Sequence, residues 1–121
     1  MAEIVVYTYA KCSTCRDAVK WLQRHGLVFE ERPIRETPPA ETELRKMLAA
    51  QGGQIRRLFN TSGLDYRAMG LAGRMDSISE ADAFALLRGN GNLVKRPFLL
   101  GPRTALAGFD EKAWAAALLQ G

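Results

Sequence analysis

The segment running from Tyr7 to Leu22, Tyr-Thr-Tyr-Ala-Lys-Cys-Ser-Thr-Cys-Arg-Asp-Ala-Val-Lys-Trp-Leu, constrains this chain more than any other. It holds both cysteines of the protein, Cys12 and Cys15, in a C-x-x-C spacing. Before the pair, Glu3-Ile-Val-Val-Tyr-Thr-Tyr9 alternates loosely and is rich in β-branched and aromatic residues, which reads as a buried strand. After it comes a helical pattern, predicting a helix over residues 13–24 with Ala18, Val19 and Leu22 facing the core and Gly26 as the residue that ends it. The thiols therefore sit where a strand hands over to a helix N-terminus. Unpaired backbone N–H groups and the positive end of the helix dipole converge at such a place, and both favour an anion. A cysteine there is expected to have a lowered pKa, and Lys11 and Arg16 flank the pair with positive charge.

The next run, Val28-Phe-Glu-Glu-Arg-Pro-Ile34, reads as a second strand with Pro33 marking its end. Strand, helix and strand make a βαβ unit, which predicts parallel strands and a right-handed crossover. Thr37-Pro-Pro-Ala-Glu reads as a helix start with prolines in the first turn. Leu44, Met47 and Leu48 give that helix its apolar stripe, and Gln51-Gly-Gly53 stops it. A short helix over residues 55–59, the polar turn Asn60-Thr-Ser-Gly63 and a helical turn with Tyr66, Met69 and Leu71 follow. Ser79-Glu-Ala-Asp82 resembles a capping box opening a helix through Ala83, Phe84 and Leu87, closed by Arg88-Gly89. β character returns at Leu93-Val-Lys-Arg-Pro-Phe-Leu-Leu100. A turn at Gly101-Pro-Arg-Thr104 and a strand at Ala105-Leu-Ala107 complete a hairpin. Asp110 caps a last helix through Ala113, Trp114, Ala117 and Leu118. The order is βαβ, a helical insertion over 37–88 with no strand candidate, then ββα.

Apolar residues are 47% of the 121 and charged residues 25%, ordinary for one soluble globular domain. No run approaches the ~18 apolar residues that suggest a membrane span, and no signal-peptide pattern is visible. No membrane association is expected and the expected location is cytoplasmic, where a C-x-x-C is more often redox-active than structural. The formal charge of +4 comes from separate pairs, Lys11/Arg16, Arg45/Lys46, Arg56/Arg57 and Lys95/Arg96. That scatter reads as a solvated surface. Direct nucleic-acid binding is not expected without a basic stripe and a recognisable module; a small anionic substrate or an acidic protein partner fits better. Zinc needs four ligands, or three plus water. Beyond the cysteines only His25 is on offer, at the wrong end of the helix, so no metal is expected. Cys12, at the turn, is the more exposed and activated sulfur. Cys15, one turn in, is the resolving thiol, and residues i and i+3 of a helix start lie close enough for a disulfide.

Arg96-Pro97 is the second site. A proline in an otherwise central-looking strand removes a ladder donor, which leaves two explanations: an edge strand or a cis peptide. A cis bond would bring Arg96 against the C-x-x-C loop as a fixed cationic fork for an oxyanion or thiolate. Asn60-Thr-Ser-Gly63 is either a loop and helix cap or part of a site. Trp21, Trp114 and Phe109 read as core aromatics, and His25 as a helix-end residue.

The C-x-x-C segment, Glu36-Thr-Pro-Pro39, Phe59-Asn-Thr-Ser-Gly63, Tyr66-Arg-x-Met-Gly-Leu71, Lys95-Arg-Pro-Phe98 and Gly108-Phe109 with Trp114 together resemble the arsenate-reductase-like (glutaredoxin-type) proteins. Within them they are similar to the branch that also contains the Spx and MgsR regulators. The resemblance covers nearly the whole chain in matching order. It implies an α/β thioredoxin-like fold in a single domain over 1–121, its core built from 1–36 and 89–121 around the helical insertion, with Pro97 cis. It implies a thiol–disulfide oxidoreductase with Cys12 as nucleophile, Cys15 as resolving thiol and Arg96 orienting an anionic group. Substrate is expected at Lys11, Ser13, Thr14, Arg16, Asn60 and Pro97. No bound cofactor is implied; glutathione, glutaredoxin or thioredoxin would be the reductant. Glutaredoxin-type arsenate reductases surround arsenate with three arginines. One matches Arg96, Asn60 stands in place of another, and Arg103 is out of register with the third. They also lack a resolving cysteine at the position of Cys15. The alternatives are a redox-sensing regulator binding the RNA polymerase α subunit, and arsenate reduction itself.

Overall fold

In the computed structural model, which describes residues 3–119, the apolar run Ile4-Val-Val-Tyr-Thr8 forms strand β1, an inner strand of a four-stranded sheet. The chain continues through α1 (Ser13–Arg24), β2 (Phe29–Pro33), α2 (Glu41–Ala50), α3 (Leu64–Ala68), α4 (Glu80–Gly89), β3 (Phe98–Leu100), β4 (Ala105–Ala107) and α5 (Glu111–Leu118). Short 3-10 turns lie at Ile55–Leu58, Leu71–Arg74 and Gly91–Leu93. The strand order is β2-β1-β3-β4. β1 and β2 are parallel, as the βαβ reading predicts, while β3 pairs antiparallel with both β1 and β4. This is the thioredoxin-like arrangement, with the residues between β2 and β3 as its helical insertion.

Successive residues of a strand face opposite sides, and here each side has its own core. Ile4, Val6 and Leu99 pack with Ala18, Trp21 and Leu22 of α1 and Trp114 of α5. Tyr7, Phe98, Leu100 and Ala105 pack on the other side with Leu44, Met47, Leu58, Tyr66, Phe84 and Leu87 from the insertion. A strand covered on both faces reads as a continuous apolar run, which is why β1 shows only loose alternation. Fully burying each such aliphatic or aromatic side chain contributes about 1.5–3 kcal/mol. No helix among the described residues is long and apolar enough to cross a membrane.

The structure departs from the sequence reading in several places, and Gly89, expected as the glycine just past the helix, is instead the last residue of α4, with Asn90 as its C-cap. Pro38 and Pro39 precede α2 instead of sitting in its first turn, because a proline pushes the residue before it out of the helical region. The turn is closed by Glu43, whose Oε1 accepts from the Ala40 N–H at 2.8 Å. The expected strand over 93–100 keeps only its last three residues. Asn90 caps a 3-10 turn by accepting from Asn92 N at 2.9 Å, and Lys95 N donates to the Leu58 carbonyl at 2.8 Å, so the chain is committed elsewhere until Phe98. Ser79 makes one half of the capping box, accepting from Asp82 N at 3.1 Å. In α5 only Trp114 is fully buried; Ala113 and Ala117 are exposed. Asp110 caps that helix as read, accepting from Lys112 N at 2.9 Å.

Candidate active site

Helix α1 starts without an ordinary cap. Cys12 occupies the N-cap position with extended backbone (φ −94°, ψ 117°), makes no side-chain cap hydrogen bond, and is followed by no acidic residue in the first turn. The free N–H groups of a helix start are thus left to the sulfur. The turn before it is held by Cys12 N donating to the Tyr9 carbonyl at 2.9 Å. Partial burial opposes ionisation of Cys12. The backbone N–H of Cys15, the Cys15 thiol and the Arg96 guanidinium outweigh that burial and hold the Cys12 pKa below the ordinary cysteine value. Cys15 goes the other way. It is 1% exposed, and burial, followed by the adjacent Cys12, pushes its thiol up to about 12.

Cys12 opens onto a cleft of about 500 Å³ lined by Thr14, Asn60, Ser62, Gly63, Leu64, Lys95, Arg96, Gly108 and Phe109. The Arg96-Pro97 peptide is cis, and β3 is an inner strand, which removes the edge-strand explanation. Pro97 is buried, and its carbonyl accepts from Gly108 N at 2.8 Å. Gly108 holds φ +76°, a region open to glycine. Its carbonyl accepts from Trp114 Nε1 at 3.1 Å, so the cis-proline turn, the end of β4 and α5 are clipped together beneath the cleft. Asn60 is fixed from both sides: its N–H donates to the Leu93 carbonyl at 2.7 Å and its own carbonyl accepts from Gly63 N at 3.0 Å.

Arg96 lies with its guanidinium 4.9 Å from the centre of the Tyr9 ring. Its Nη1 is buried without a hydrogen-bond partner among the described residues. Arg35 stacks on the same ring at 5.0 Å and donates from Nη1 to the Tyr9 hydroxyl at 2.9 Å. Tyr9, Arg35, Asp65 and Asn92 line a second, smaller cavity of about 240 Å³ that shares Asn60, Gly63, Leu64 and Arg96 with the first. Sequence reasoning missed Tyr9 and Arg35. The signal was the parallel pairing itself: Thr8 lies opposite Pro33, so the residues just past β1 and β2 emerge side by side at the strands' carboxyl ends.

Of the sequence-predicted positions, Cys12, Thr14, Asn60 and Arg96 meet in the cleft. Lys11, Ser13 and Arg16 are exposed and do not line it. Arg16 turns away, Nη1 donating to the Ala10 carbonyl at 3.1 Å. It lines a separate cavity of about 330 Å³ with Cys15, Val19 and Gln23. The cation beside the Cys12 sulfur is thus Arg96, distant in sequence, and not the neighbours Lys11 and Arg16, which the helix geometry carries outward. Among the described residues no group of three or more His, Cys, Asp or Glu is placed to hold a metal ion.

The ArsC family pattern matches residues 7–117. The uncharacterized protein YusI of Bacillus subtilis (strain 168) is 38% identical over 108 residues, covering 89% of this chain and 92% of that protein. The global transcriptional regulator Spx of Streptococcus mutans is 26% identical over 108 residues, 89% of this chain and 77% of that protein. The crystal structure of an ArsC family related protein from Bacteroides fragilis superposes with a TM-score of 0.88 at 33% identity, covering 94% of this chain and 96% of that one. With its cis-proline turn and a cysteine at the head of α1, this chain is a member of the ArsC family.

Proposed function

We propose that the protein is a dithiol oxidoreductase in which Cys12 is the nucleophile and Cys15 the resolving thiol. The observation that carries this reading is the division between the two sulfurs. One sits at the N-cap position of a helix beside Arg96 in an open cleft, with its pKa lowered; the other is 1% exposed, with its pKa pushed up to about 12. Cys12 therefore carries the larger thiolate fraction and Cys15 keeps its proton at neutral pH. Attack of Cys12 on a disulfide forms a mixed disulfide and removes the negative charge that raises the Cys15 pKa. Burial still opposes Cys15 ionisation, so resolution requires a base to take its proton. Arg96, lining the cleft beside Cys12, orients an anionic group of the substrate. Glutathione, glutaredoxin or thioredoxin restores the dithiol. Arsenate is less well accommodated: among the described residues Arg96 is the single arginine lining the cleft, where the resemblance to arsenate reductases implies three.

The test is turnover of a low-molecular-weight disulfide in a glutathione- or thioredoxin-coupled assay. Cys12→Ser is expected to lose turnover, while Cys15→Ser accumulates a mixed disulfide on Cys12, read as added mass. Turnover surviving in Cys12→Ser would remove the assignment. The kinship with Spx favours a second reading, in which the same disulfide is a signal that sets affinity for the RNA polymerase α subunit. No turnover with either reductant, together with redox-dependent capture of that subunit, would select it.

A further inference from the structure

Four cations that read as separate surface pairs in the sequence line two cavities that share Lys95, one of them the Cys12 cleft. Arg56 and Arg57 come from the 3-10 turn between α2 and α3; Lys95 and Arg96 come from the segment leading into β3. Arg56, Arg57 and Lys95 line one cavity of about 320 Å³, and Lys95 and Arg96 line the Cys12 cleft, so Lys95 is a wall common to both. No carboxylate among the described residues lines either space. Asp76 lies 3.6 Å from Arg56 Nη2, but its side chain is 99% exposed, and such a pair neutralises little. Arg57 is held by a neutral partner, its Nε donating to Gln54 Oε1 at 3.0 Å. Leu64, also lining the Cys12 cleft, is 78% exposed. The sulfur is therefore served by an apolar contact as well as by positive charge that runs on into a second cavity. That reach suits an extended chain more than a single small anion.

Resting on the dithiol reading above, we infer that the Cys12 cleft and the basic cavity beside it form a docking groove for a protein disulfide whose reacting cysteine is flanked by acidic residues. The acidic side chains meet Arg56, Arg57 and Lys95, and an apolar neighbour of the cysteine rests on Leu64. Charge complementarity of this kind acts chiefly on the rate of productive encounter. In the reaction the Cys12 thiolate attacks the near sulfur of the partner's disulfide. The partner S–S bond breaks, a Cys12–partner disulfide forms, and the far sulfur leaves as a thiolate that takes a proton from water. Cys15, having given its proton to water, attacks the Cys12 sulfur, closes the Cys12–Cys15 disulfide and releases the partner's remaining thiolate. Two electrons pass from this protein to the partner, and two equivalents of an external thiol restore the dithiol.

The experiment uses the full chain in its reduced form and three cysteine peptides of equal length, each as its 2-pyridyl disulfide. Acidic, neutral or basic residues flank the cysteine, and thiopyridone release is followed. At low ionic strength the acidic peptide is expected to react about 10-fold or more faster than the basic one, with the gap closing as salt is raised. Arg56→Glu with Arg57→Glu, both on exposed side chains, is expected to reverse that order. Equal rates for the three peptides would overturn the docking groove while leaving the dithiol reading intact. No release from any peptide would remove both. A single-stranded oligonucleotide that suppresses the acidic peptide's reaction at a lower concentration than an unreactive acidic peptide would also overturn the inference, because the groove would then be reading phosphates.

Discussion

Arg96 shares the Tyr9 ring with Arg35, so two guanidinium groups are packed against one aromatic face system beside the nucleophile. Stacking on Tyr9 holds the Arg96 guanidinium at the wall of the Cys12 cleft, with its Nη1 buried and unpartnered among the described residues. Its charge then acts on Cys12 as well as on substrate. In a Cys15→Ser background the midpoint of iodoacetamide alkylation against pH is expected to lie below the ordinary cysteine value of ~8.5. Arg96→Gln is expected to move that midpoint upward. An unmoved midpoint would mean that the helix terminus activates the sulfur alone. At this scale the sequence showed Cys12, Cys15 and Arg96, because a C-x-x-C after a strand and an Arg-Pro in a strand-like run are local signals. Arg35 was hidden because nothing near it in the chain marks it; only the pairing of β1 with β2 carries it to Tyr9.

Helix α1 has a cysteine where most helices carry Ser, Thr, Asp or Asn, so its cap depends on ionisation. The Cys12 pKa is lowered in the folded protein. The thiolate's contribution to stability is therefore fully present above the unfolded value of ~8.5 and is lost as pH falls through the folded value. Cys12→Ser caps at any pH. In the Cys15→Ser background it is expected to be more stable than its parent by about 1 kcal/mol at acidic pH, with the gain shrinking at alkaline pH. Urea unfolding at the two pH values measures this, and a gain that does not change with pH would contradict a self-capping thiolate. Elements with conventional punctuation were legible: Gly26 after α1 and Asp110 before α5 act as read, and Ser79 caps α4 with one half of the box. Where local signals conflicted with tertiary pairing, the pairing won. β character ran back to Leu93, but Lys95 N was already engaged by the Leu58 carbonyl.

Across the whole molecule, the insertion is no appendage, since it supplies most of the core on one face of the sheet while both tryptophans lie on the other. Phe84→Ala, deep in the insertion's layer, is expected to cost about 3–5 kcal/mol. Tryptophan fluorescence, which reports the opposite layer, should follow the same shifted transition as far-UV circular dichroism. Two separated transitions would show that the layers melt independently. The two-layer order was readable from the βαβ and ββα patterns, but the gathering of Arg56, Arg57, Lys95 and Arg96 was not, because charge spacing along a chain carries no register across the insertion. The sequence positions of the site's parts also bear on biosynthesis. Cys12 leaves the ribosome early; Arg96 and the Gly108–Trp114 clip that shapes the cleft leave late. Until that segment has emerged, the nascent chain's Cys12 lacks the share of its activation that Arg96 supplies, and its sulfur gains that share only as the fold closes.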